Sequence, residues 1–330
     1  MKKTSEMIKS IFHKILFLNI FILSFNSSTF SQCCGMGSPF CGSSNAGIIS
    51  PGTLRLNALY KFGYFDTYYH NNEKLVNYGP IKNMSYNYTS LILGYGLTKR
   101  LTLEHEAGYY INKVQHFNDT TQDRLAKQGY GFSNGVISVK YGAWIKPIKE
   151  TEITIGFGMK YPFTRKALES NYVRLPLEVQ PSSRAYGIVG QLFLKKGYSN
   201  LGLNLLLLNR IEHNFENPDK YTVGNIYIST LFISKKIIPG FIGVLQIRNE
   251  YKRTDKSGIP NDRLLSKGSE VVYLAPTFSY FMNCKLVISV FADIPVYKYY
   301  MGDANYTDGT GGQISSKYSV GISLTRDFGF

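Results

Sequence analysis

The chain has 330 residues, 44% apolar and 15% aromatic, with 26 Tyr, 21 Phe and a single Trp, and a formal charge of +15. That length allows one large domain or two ordinary ones. The charge asks for an acidic partner, but there is no basic run, no interleaved stacking motif and no zinc-finger spacing, so nucleic acid is not expected.

Residues 1–31 differ in kind from the rest. Lys2, Lys3, Lys9 and Lys14 precede the apolar "ILFLNIFILSF", and the small polar "NSSTFSQ" follows, which is the pattern of a secretory signal cleaved near Ser31 or Gln32. An 11-residue apolar core is too short to span the ~30 Å hydrocarbon layer as a helix. Removing residues 1–31 takes away four Lys and one Glu and leaves +12.

Residues 32–51 form a Cys/Gly-rich segment expected on the periplasmic side. Cys33, Cys34 and Cys41 lie in "QCCGMGSPFCGSS", and Cys284 lies far along the chain in a short turn. In an oxidising compartment these four are disulfide candidates. With Met36 they are also candidate ligands for a soft metal such as Cu(I). Lipidation of Cys33 is a third reading, although Phe30-Ser31-Gln32 does not resemble a lipobox. No cofactor is expected.

From residue 52 to 330 the dominant signal is period-two alternation. In "TLRLNALYKFGYF" the even positions from Leu54 to Tyr64 are apolar or aromatic, and the odd ones include Arg55, Asn57 and Lys61. Twelve such strands begin near Thr53, Met84, Leu101, Val136, Thr151, Arg184, Leu201, Thr222, Phe241, Glu270, Leu286 and Lys317. Many reach the ~9 to 11 residues that a tilted strand needs to cross a bilayer. No apolar run follows the signal that is long enough for a spanning helix of ~18 or more residues.

The connections alternate in length. "LTKR" at 97–100, "KPIKE" at 146–150, "KKGYSN" at 195–200, "KKIIPG" at 235–240 and "MNCK" at 282–285 are short. Those near 69–83, 116–131, 165–183, 214–221, 254–268 and 301–315 are longer and polar. A soluble sandwich also alternates, but the strand number and this asymmetry predict an all-β, antiparallel up-and-down transmembrane barrel. It would sit in the cell outer membrane among lipid and lipopolysaccharide, with periplasmic short turns and extracellular loops.

The final stretch "SVGISLTRDFGF" fits closure. Tyr318, Val320, Ile322, Leu324, Phe328 and Phe330 form one face, broken by Arg326, while Ser319, Gly321, Ser323, Thr325 and Asp327 form the other. No sheet edge can be left open in lipid, so this strand must pair with the first. A strand ending on Phe is similar to the C-terminal signal read by the barrel-assembly machinery, which makes Phe328 and Phe330 the assembly-signal candidates. An ordinary amphipathic edge strand would look the same.

The same parity predicts a lumen lined by Arg55, Lys61, Glu104, Glu106, Lys140, Lys160, Gln246, Arg248, Glu250 and Asp293. A Lys or Arg facing lipid near the midplane would cost ~2 to 4 kcal/mol, which is why they are assigned inward. They read either as an interlocking network of ion pairs or as a solute filter.

"GFSNGVISVKYGAW", "ITIGFGMKYPFT" and "YLAPTFSYFMNCKLVISVFADIPVY" resemble the barrel transporters grouped as the phenol-degradation meta-pathway type. Lys140-Tyr141, Lys160-Tyr161-Pro162 and Pro295-Val296 carry the likeness, over roughly 130–330; Asn134-Gly135 stands where that family has Gly-Asp. The resemblance implies uptake of small, often hydrophobic, molecules. Catalysis is not expected, because none of His13, His70, His105, His116 and His213 has a Ser or Thr two residues away on the same face. The functional expectation is a channel or transporter for small hydrophobic or anionic solutes. The alternative is a non-conducting structural or adhesive barrel acting through its loops.

Overall fold

The computed structural model describes residues 47–76, 79, 81–118, 126–170, 172–257, 268–283, 286–301 and 312–329. The signal segment, Cys33, Cys34, Cys41, Cys284 and Phe330 lie outside the described residues.

Twelve strands make the wall. They are β1 (Thr53–His70), β2 (Ile81–Gly96), β3 (Leu101–Phe117), β4 (Asn134–Lys146), β5 (Thr151–Pro162), β6 (Gly187–Tyr198), β7 (Leu203–Asn214), β8 (Ile226–Ile238), β9 (Phe241–Lys252), β10 (Gly268–Asn283), β11 (Leu286–Met301) and β12 (Gln313–Gly329). Each pairs antiparallel with the next. β12 pairs back onto β1 from Thr53↔Gly329 to Tyr69↔Gln313, so the sheet is closed. Closure leaves no edge between first and last strands to expose unpaired backbone to lipid. Glu73–Leu75 adds a short strand beside β1, and Lys127–Phe132 prolongs β4 beyond Ser133. Among the described residues there is no α-helix; Ser199–Leu201 forms one 3₁₀ turn.

The alternation shows as burial. On β12, Tyr318, Val320, Ile322 and Leu324 are exposed, while Ser319, Ser323 and Thr325 are buried. Bulges reset the parity at several points on the wall, two of them well inside it. Ile111 has no partner on β2 between Tyr88↔Tyr110 and Asn87↔Asn112, and Lys317 is passed over on β12 where Tyr64↔Tyr318 gives way to Phe65↔Ser316. A bulge adds one residue to one strand and turns the following side chains to the other face, so a parity rule carried through it would fail.

Three short turns are tighter than the sequence suggests. Pairing continues through Lys195 and Lys196 to Tyr198↔Leu203, and through Lys235 and Lys236 to Ile238↔Phe241; β10 likewise runs to Asn283. Exposed lysines at a barrel rim remain solvated while their backbone stays in the ladder. Conversely, β6 and β8 start at Gly187 and Ile226 rather than at Arg184 and Thr222, because residues 182–185 fold inward as loop and Tyr221–Thr222 pair with Lys256–Ser257 in a separate short ladder.

Candidate functional site: the barrel interior and the wall crevice

The interior holds a chain of ion pairs. Lys140 reaches Glu104 at 2.7 Å; Lys160 reaches Glu212 at 2.7 Å; and Arg210 spans Glu106 and Glu212 at 2.8 and 2.9 Å. Across the barrel, Asp293 receives Lys61 at 2.5 Å and Arg248 at 2.9 Å, and Arg248 also contacts Glu250 at 2.7 Å. Arg55 meets Asp327 at 2.7 Å near the foot of β1, and Lys252 meets Asp255 at 2.5 Å at the opposite end. These pairs contain seven cations and seven carboxylates, so their net charge is zero. A charge withdrawn from water is tolerated only with a partner in good geometry, and alternation brings those partners together from strands remote in sequence.

The ten residues assigned inward from parity differ in burial. Lys61, Glu104, Glu106, Lys140, Lys160, Gln246, Arg248 and Asp293 are buried, while Arg55 and Glu250 are partly exposed. Gln246 donates to Thr277 at 2.9 Å. Arg210, Glu212, Lys252 and Asp255 escaped the sequence reading. Arg210 and Glu212 follow the unbroken apolar run "LLLL" at 205–208, where period two cannot be seen, and "YKRTDK" reads as loop. His105 points away from its neighbours Glu104 and Glu106, and its Nε2 shares a 2.7 Å hydrogen bond with the Tyr161 hydroxyl on the outer face.

Apolar clusters also occupy the interior. Phe193, Leu206, Leu208, Phe232 and Val244 pack together towards the short-turn end of β6–β9. Leu59, Tyr88, Tyr110 and Phe291 pack on the facing wall.

At the long-loop end the connection between β5 and β6 folds inward. Val179, Gln180, Ser182, Ser183 and Arg184 are 0–2% exposed. Lys113 donates to the Gln180 carbonyl at 2.8 Å, Asn134 Nδ2 donates to Ser183 Oγ at 2.7 Å, and Asn217 Nδ2 donates to the Ser183 carbonyl at 3.1 Å. Asp219 accepts from both Arg184 and Arg174. Burial raises the Asp219 pKa, but the Arg184 hydrogen bond and charge, with Arg174, outweigh it and hold the carboxyl below its ordinary 3.8.

The wall is interrupted above this plug. β5 ends at Pro162, paired with Asn134, so the prolongation Lys127–Phe132 pairs only with β3. Its free edge is covered by the infolded loop: a Cβ on Gly129 would stand 1.8 Å from the Val179 carbonyl oxygen. At this split lies a crevice of about 310 Å³ bounded by Tyr130, Phe132, Phe163, Leu168, Gln180 and Pro181. Tyr130, Phe132 and Phe163 are 56%, 50% and 42% exposed, and the Phe132 and Phe163 rings lie 4.8 Å apart.

No family model and no curated protein matches the chain. Solved structures do. An outer membrane channel from Pseudomonas putida F1 aligns with a TM-score of 0.66 at 13% identity, over 88% of this chain and all of that one. The β domain of the Bordetella autotransporter BrkA aligns at 0.47 and 9% identity, over 84% and 100%. The P. putida toluene transporter TodX aligns at 0.42 and 8%, over 86% and 94%. The chain is a closed, 12-stranded antiparallel barrel with the fold of outer-membrane channels.

Proposed function

We propose that this barrel is an outer-membrane channel for small solutes, and that hydrophobic solutes are its preferred cargo. The observation that carries the reading is the contrast between the axis and the wall. The axis is occupied by neutralised ion pairs, apolar clusters and the infolded loop 176–185, which leaves little for a hydrated ion to follow. The crevice beside Phe132 and Phe163 is mostly apolar, with Lys166 and Arg184 also in its lining, and its aromatic rings are exposed. Its 310 Å³ stands at the lower end of the ~300–1,000 Å³ typical of small-molecule sites. The P. putida channel with the same fold supports the transport role.

The ten inward residues then act as a scaffold that ties remote strands together across the interior, not as a solute filter. The filled axis also favours a second reading, a non-conducting barrel working through its loops. Liposome swelling across sugars, amino acids, inorganic anions and aromatic acids separates them. The channel reading expects aromatic acids to outpace sugars; no swelling with any solute would favour the loop reading.

A further inference from the structure

Residues 47–50 do not hang below the barrel. They turn inward from the foot of β1 and cross the inner faces of β2, β3, β4 and β5 at the periplasmic mouth. The Ile49 amide donates to Thr102 Oγ1 on β3 at 2.9 Å, and the Ile48 amide donates to Glu152 Oε1 on β5 at 2.8 Å. The same carboxylate oxygen accepts from the Thr154 hydroxyl at 2.7 Å. Ile49 is 4% exposed. Backbone amides buried away from water must find acceptors, and here two different strands supply them.

The wall is also shaped for this backbone. A Cβ on Gly94 would stand 2.5 Å from Ile49 Cδ1, and one on Gly96 would stand 2.1 Å from the Ser50 carbonyl oxygen. A Cβ on Gly142 would stand 2.5 Å from Ile145 Cδ1 on its own strand and 3.0 Å from Ile48 Cγ1. Gly96 is the strictest of the three, because a side chain there would meet backbone; one at Gly94 would have to displace the end of Ile49. Beside the track the mouth opens into a cavity of about 530 Å³, bounded by Glu152, Tyr198, Asn204 and Ser234.

We propose that this glycine track, with Thr102 and Glu152, is a binding groove for an extended peptide backbone, and that residues 47–50 occupy it as a cover over the periplasmic mouth. The cover must leave before solute passes between lumen and periplasm. The neighbouring cavity gives the displaced segment somewhere to go. The role of the cover rests on the channel reading, but its seating can be tested without any solute.

The test uses the full-length protein in detergent with Thr154→Cys, a position 0% exposed beside Glu152. A charged thiol reagent is added, and modification of the peptide containing residue 154 is followed by mass spectrometry. Ile49→Asp removes the apolar anchor from the segment side, and Gly94→Leu blocks the track from the wall side. Each should speed modification by about tenfold or more, while a control Ser315→Cys at the extracellular end keeps its rate; heat-modifiable mobility on gels confirms folding. Equal rates at residue 154 with and without the second substitution would overturn the proposal. So would a parallel rise at residue 315, which would mean general loosening. Because the readout needs no flux, the cover can fail while the channel reading stands, and the reverse.

Discussion

The ammonium of Lys61 on β1 lies 2.5 Å from a carboxylate oxygen of Asp293 on β11, across the intervening β12 and 232 residues apart in sequence. Arg248 on β9 reaches the same oxygen across β10 at 2.9 Å, and Ser319 on β12 donates to it at 2.9 Å. One carboxylate therefore ties four strands on both sides of the closure seam. Backbone pairing joins only neighbouring strands, so Asp293 supplies the cross-links that pairing cannot.

Removing that carboxylate leaves two cations facing each other in a dry interior. Breaking one member of a buried pair costs about 3–5 kcal/mol. Asp293→Ala is therefore expected to lower the temperature at which the folded, fast-migrating gel band disappears. Replacing Lys61, Arg248 and Asp293 together by apolar residues of similar volume should recover much of the loss. An unchanged transition in the single variant would remove Asp293 from its bridging role.

The extracellular clamp gives a pH prediction. Because the Asp219 carboxyl is held below 3.8 in the folded protein, its contribution is fully present above the unfolded value and is lost as pH falls through the folded one. Proteolysis of the loop around Arg174 should stay constant from neutral pH down to about 5 and rise only below about 4. Asp219→Ala should expose the loop already at neutral pH. Limited proteolysis with an acid-tolerant protease reads both; a rise near pH 6 would contradict the clamp.

Topology is tested by labelling from outside. Ser170 and Lys149 are both exposed, on opposite ends of the barrel. A cysteine at Ser170 should react with an impermeant reagent on intact cells, and one at Lys149 should not. Reaction at both, or the reverse, would invert the assignment.

The assembly reading of Phe328 and Phe330 predicts that deleting Phe330 reduces the amount of folded, heat-modifiable barrel in the outer membrane. Normal assembly of the shortened chain would discard it. Phe328 itself is half-buried beneath the Arg326 guanidinium, 4.8 Å from the ring, so its contacts alone do not require a terminal aromatic.

Much of the barrel was legible because lipid and lumen impose opposite chemistry on alternate residues. Arg55, Lys61 and Asp293 each stand in a clean alternating run, and each could be assigned a face without knowing its partner. The legibility failed where the pattern has no contrast or where long-range folding decides. Arg210 and Glu212 end a run of leucines. The infolding of Gln180–Arg184 depends on Lys113, Asn134 and Asn217, none of which is near in sequence. "GIIS" at 47–50 reads as linker, and its place inside depends on acceptors at Thr102 and Glu152 and on clearance at Gly94 and Gly96, all remote in sequence.

The most direct test of lateral entry is uptake of a lipophilic aromatic probe by vesicles carrying either the unaltered barrel or the variant Phe132→Asp with Phe163→Asp. These two rings lie 4.8 Å apart at the crevice, so the paired substitution would make its lining charged. Fast uptake is expected through the unaltered barrel and a loss of about tenfold or more in the variant, with heat-modifiable mobility confirming that both are folded. Equal uptake by the two proteins would place the solute path elsewhere and contradict the crevice as its entrance.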